Sequence, residues 1–142
     1  VDHVRAFAQI RQQTVEINDQ TYWASVKDGI VLLEQQGLKK SRIMTIGYTN
    51  PFPPLLRASA VLGDQIWWST VDTFNPQEHP DVEKILDGTD VVMEPLWHDD
   101  PHRQTQYNAK WTIFRPFVEE RFDVTAQSFY WKVWQKKSQS LD

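Results

Sequence analysis

Apolar positions recur every three or four residues in two long stretches of this chain, and run alternately or continuously through several short ones. The first long stretch carries Tyr22, Val26, Ile30 and Leu33. It follows an Asn18-Asp19 pair suited to capping and stops at Gly37, which predicts a helix over 19–36. The second carries Tyr107, Trp111, Phe114 and Val118 and predicts a helix from 104 to 122, bent or split by Pro116. Residues 43–48, 65–71 and 90–95 are short runs of apolar, aromatic and β-branched residues and read as strands. The run 43–48 is apolar enough to be covered on both faces.

Near the end, Phe129, Trp131 and Val133 alternate with Tyr130, Lys132 and Trp134, the period of a half-exposed strand. Its lysines suit a sheet edge, where charge discourages pairing with another chain. Weaker helical patterns cover 4–10 and 55–62. Pro80 sits at a first helical position before Val82, Ile85 and Leu86, and Gly88 closes that segment. Helices and strands in alternation predict an α/β fold: a Rossmann-like open sheet, mainly parallel, of four or five strands with helices on both faces and a C-terminal edge strand. No repeat or linker divides the sequence, so residues 1–142 read as a single domain. Starting at Val1 rather than Met, it reads as an excised part of a longer protein.

Composition narrows the chemistry. The chain has no cysteine, which excludes thiolate metal sites and a thiol nucleophile, and a net charge of −4, which argues against nucleic acid as a partner. No apolar run reaches the ~18 residues of a membrane span. The five glycines are too dispersed for a GxGxxG turn or a phosphate-cradling loop, and no GxSxG elbow is present, so no cofactor is expected.

In an open α/β sheet, ligands sit beyond the carboxyl ends of the strands. Three predicted strands end in suggestive residues: Thr49-Asn50-Pro51-Phe52, Ser69-Thr70 with Asp72 just beyond, and Glu94-Pro95-Leu96-Trp97-His98. Asn50 and Glu94 have the polar groups to orient a ligand, and Phe52, Trp68 and Trp97 the flat faces to stack on a sugar. Asn before Pro is also a common turn device, and that structural role competes with binding at Asn50. The segment "HDDPH" places His98, Asp99, Asp100 and His102 within five residues, a donor set for a metal. It matches no helical HExxH spacing and reads more readily as a solvated acidic loop.

Together the segments "SRIMTIGYTNPFP", "GDQIWWSTVDTFNPQEHPDVEKILDGTDVVMEP" and "FYWKVWQKK" resemble a group of uncharacterised bacterial membrane-associated proteins of glycosyltransferase-like envelope type. Their shared signature is an Asn-Pro-Phe strand end, a Trp-Trp strand and a His-Pro helix, and the likeness covers about 28–136. The chain departs from it at Ser69, where a His is expected, which puts a catalytic role for that position in doubt. The resemblance implies a soluble domain attached to the inner membrane of the bacterial cell envelope through a covalently linked membrane domain. A cytoplasmic location is the alternative.

Three functions remain open on this reading. The first is a non-catalytic domain binding a sugar, a lipid-linked sugar or a protein partner at the strand rim. The second is a small metal-assisted hydrolase or glycosyl-transferring domain using Glu94, His98, Asp99 and Asp100. The third is a purely structural assembly domain.

Overall fold

The computed structural model describes residues 19–47, 49–61, 81–98 and 101–138. Their order is α1 (Asp19–Gln35), β1 (Ile43–Thr45), α2 (Phe52–Leu56), α3 (Val82–Asp87), β2 (Val91–Pro95), α4 (Pro101–Arg121), β3 (Phe122–Gln127) and β4 (Trp131–Lys136). The expected helix over 4–10 and the expected Trp67-Trp68 strand lie outside the described residues, as do Trp68, Ser69, Asp99 and Asp100.

The four strands form one sheet in the order β1-β2-β4-β3. β1 pairs with β2 in parallel, while β2 with β4 and β4 with β3 are antiparallel. The fold is thus mixed α/β, and the mainly parallel, Rossmann-like sheet expected from the sequence is not what the described strands build. The expected C-terminal edge strand is also corrected, since β4 lies inside the sheet and β3 takes the edge. β3 arises because the chain turns back directly after α4. Ser128 receives the backbone N–H of Tyr130 and of Trp131 on its Oγ and donates that hydroxyl to Asp28 on α1, which fixes the hairpin. A bulge at Thr125 shifts the β3–β4 register between Val124 and Ala126.

Helices cover both faces of the sheet, as expected. Alternation along β1 and β2 sends Ile43, Val91 and Met93 to one face, where they pack with Leu33 of α1, Phe52 of α2, and Trp131 and Val133 of β4. Met44 and Val92 point to the other, against Ile85 and Leu86 of α3 and Phe114 and Val118 of α4. Arg121 ties α4 to α3 through Glu83 at 3.3 Å and Asp87 at 3.2 Å.

Local sequence explains the helix ends. α1 closes in a Schellman motif: Leu38 N–H bonds to Leu33 O and Gly37 N–H to Glu34 O, with Gly37 at φ +70°, where a side chain would be strained. Asp81 caps α3 by accepting the N–H of Lys84. α4 continues through Pro116 as one helix rather than splitting there. Its buried stripe is Gln106, Lys110, Phe114 and Val118, so Gln106 and Lys110 take the buried places and Tyr107 and Trp111, which the sequence pattern put on the stripe, are only half-buried. Among the described residues, no helix is long and apolar enough to cross a membrane.

Candidate functional site

Because β1 and β2 are parallel, their carboxyl ends lie on one rim, and the amino end of the antiparallel β4 joins them there. An open cleft occupies that rim, with an empty volume of ≈ 540 Å³ when the solvent at its mouth is included. α1 contributes Tyr22, Ser25 and Val26 to its wall, and the β1 end contributes Thr45, Gly47, Thr49 and Pro51. The β2 end adds Pro95, Trp97 and His98; Arg103 comes from the first turn of α4, and Tyr130 and Trp131 from the start of β4.

Hydrogen bonds and ring contacts hold this wall in place. The Tyr22 hydroxyl pairs with Thr49 Oγ1 at 3.1 Å, and Thr45 Oγ1 donates to Thr49 O at 2.8 Å, so the segment after β1 is tied both to α1 and to its own strand. Trp131 donates its indole N–H to Ser25 O at 2.6 Å, which locks β4 against α1. Trp97 stands edge-on to Tyr130 with 6.1 Å between ring centroids. Arg103 Cζ lies over the Tyr22 ring, 4.6 Å from its centre, a cation–π contact between α4 and α1. Trp97, Tyr130, Tyr22 and Arg103 are all part-exposed, so aromatic faces and polar edges both line the opening.

Among the described residues expected to bind a ligand, Trp97 lines this cleft, and Asn50, Phe52 and Glu94 do not. Asn50 instead holds the turn: its Nδ2 donates to Ile43 O at 2.8 Å and its Oδ1 accepts the N–H of Phe52 at 3.3 Å. Phe52, which the sequence suggests as an exposed stacking face, is 0% exposed and packs edge-on against Trp131 at 5.1 Å. Its ring lies under Gly29, where an added Cβ would come within 2.7 Å of it and 2.9 Å of Trp131 Nε1. The Asn-Pro-Phe turn is therefore a strut beneath the cleft, with Pro51 showing at its wall.

Glu94 is 5% exposed and turned to the opposite face of the sheet. There it accepts the hydroxyl of Tyr107 at 2.6 Å and the indole N–H of Trp134 at 3.0 Å. Burial, followed by the hydrogen bond to Glu94 and its charge, pushes the Tyr107 hydroxyl well above the ordinary tyrosine range. The carboxylate thus joins β2, α4 and β4 rather than reaching a ligand. Beside it, Lys110 is fully buried and donates to Thr45 O at 2.7 Å, stapling α4 to the end of β1.

The proposed metal donors do not converge among the described residues, where no group of three His, Cys, Asp or Glu side chains that could hold an ion occurs. His98 packs on Tyr107 at 4.7 Å between ring centroids, and His102 is exposed on α4. Asp99 and Asp100 lie outside the described residues. Sequence reading missed Tyr22, Arg103 and Tyr130, which come from three separate segments and share no local motif, whereas Thr49 stands at the strand end it singled out. The signal within reach was topological: α1, which precedes β1, and the start of α4, which follows β2, flank the strand ends where ligands of such sheets lie.

Comparison with protein-family models, with curated proteins and with solved structures finds no match.

Proposed function

We propose that this chain is a small-molecule-binding domain that takes a sugar-like ligand in the cleft beyond β1 and β2, without catalysing its conversion. The observation that carries this reading is the cleft wall itself, where Trp97, Tyr130 and Tyr22 bring ring faces and edges beside the hydroxyl of Thr49 and the guanidinium of Arg103. Sugars combine an apolar ring face with a rim of hydroxyls, and that combination of stacking and hydrogen bonding is what such a wall offers. The cleft lies beyond the carboxyl ends of the parallel β1–β2 pair, the place where ligands of open α/β sheets bind, which supports the reading.

The resemblance to envelope proteins of glycosyltransferase type supports placing the domain beside the inner membrane, where its ligand would be a free or lipid-linked sugar. Thermal melting with a panel of monosaccharides and nucleotide sugars tests the reading. A ligand at about 100 times its dissociation constant stabilises by about 2.7 kcal/mol, a rise of several degrees at this chain length. A rise abolished by Trp97→Ala supports the cleft, and no rise with any sugar removes the proposal.

A further inference from the structure

Phe129 is 75% exposed at the turn between β3 and β4. Alternation along this end of the chain groups it with Trp131 and Val133, yet those two are buried and Phe129 is not. The difference arises because β4 begins only at Trp131 and the turn before it is pinned with the ring outside. Ser128 N–H donates to Trp131 O at 2.8 Å, its Oγ accepts the N–H groups of Tyr130 and Trp131, and Leu96 N–H donates to Tyr130 O at 2.8 Å. A single exposed phenylalanine needs no explanation, but this one continues the cleft wall. Its ring meets Tyr130 edge to face with 5.0 Å between centroids, and Tyr130 meets Trp97 in the same manner at 6.1 Å. Tyr130 and Trp97 line the cleft, and Leu96 beside Trp97 is exposed. The three rings thus form one strip that starts in the cleft and runs out over its rim. Hydrogen bonds fix the backbone under the strip, so binding there does not have to order a loop.

We propose that the ligand is an oligosaccharide rather than a single sugar: one unit sits in the cleft against Trp97 and Tyr130, and the next crosses the rim and packs on Phe129. This rests on the cleft being a sugar site. An aromatic ring takes the apolar face of a sugar, and a narrow row of rings leading out of a cleft matches a chain of such units. A protein interface would instead need a broad patch, about 800 Å² on each partner. Calorimetric titration of the full chain tests the proposal with two matched pairs, methyl glucoside with maltotriose and N-acetylglucosamine with chitotriose. In at least one pair the trisaccharide is expected to bind roughly tenfold more tightly than its single unit, the scale of covering part of an aromatic ring.

Phe129→Ala should remove that gain while the single unit binds as before, and Phe129→Trp should retain it. Because the Phe129 ring stands outside the core, neither substitution should lower the melting temperature appreciably. In the unaltered protein, the trisaccharide should shift the NMR signals of the Phe129 ring and the single unit should not, which gives the same test if the variants fold poorly. Equal affinity within every pair that binds, or a gain that survives Phe129→Ala, overturns the role of Phe129 and leaves the cleft reading standing. Absence of binding by all four sugars overturns both.

Discussion

Tyr107 donates its hydroxyl hydrogen to Glu94 Oε2 at 2.6 Å, while Trp134 donates its indole N–H to the other carboxylate oxygen at 3.0 Å. One buried carboxylate thereby joins a helix to two strands. Tyr107→Phe leaves Glu94 Oε2 without that donor, and the cost of a buried polar atom losing its partner is about 1–3 kcal/mol. Urea unfolding should show a lower midpoint at unchanged slope.

The same contact predicts an alkaline limit to stability. The folded-state pKa of Tyr107 is raised, so its contribution is complete at pH values below the unfolded tyrosine pKa, roughly 10. As pH climbs past that value the unfolded chain releases the proton while the folded chain keeps it, and stability falls. In Tyr107→Phe this part of the decline should vanish. Denaturant midpoints measured across the alkaline range in both proteins check the sign.

Gly29→Ala should destabilise the domain although alanine is the better helix former. The new methyl would stand 2.7 Å from Phe52 Cζ and 2.9 Å from Trp131 Nε1, and both rings are buried. Overpacking of this kind costs about 1–3 kcal/mol, against a gain of about 1 kcal/mol from propensity. Since Trp131 also lines the cleft, the tryptophan emission spectrum of the variant should shift as its stability drops.

Asn50→Ala should act on folding before it acts on binding. It removes the bond to Ile43 O and the acceptor for Phe52 N–H, a loss of about 1–2 kcal/mol seen as a lower melting temperature. Asn50→Asp keeps the acceptor and loses the donor, so its melting temperature should fall between those of the alanine variant and the parent.

Much of the frame is legible in the sequence where burial and apolarity coincide. The stripe of α1, the runs at β1 and β2, and Val82, Ile85 and Leu86 of α3 are all recognisable. β3 is not, because Asp123, Val124 and Thr125 are exposed and leave no alternation to read, and the turn at Ser128 carries no glycine or proline. With β3 unseen, β4 looks like an edge. Gln106 and Lys110 escape for the converse reason: they are buried polar residues, and only their spacing of eight and four from Phe114 places them on the inner stripe. Of the site, Trp97 follows directly from the strand end, whereas Tyr22, Arg103 and Tyr130 meet it only once the chain is folded.

The most direct test of the cleft as a binding site is two-dimensional NMR of the indole N–H signals during titration with maltotriose and with methyl glucoside. The account predicts shifts at Trp97 and Trp131, which line the cleft, and little change at Trp111 and Trp134, which pack against each other on the far side of the sheet. Shifts confined to Trp111 and Trp134, or none with either sugar, would contradict it.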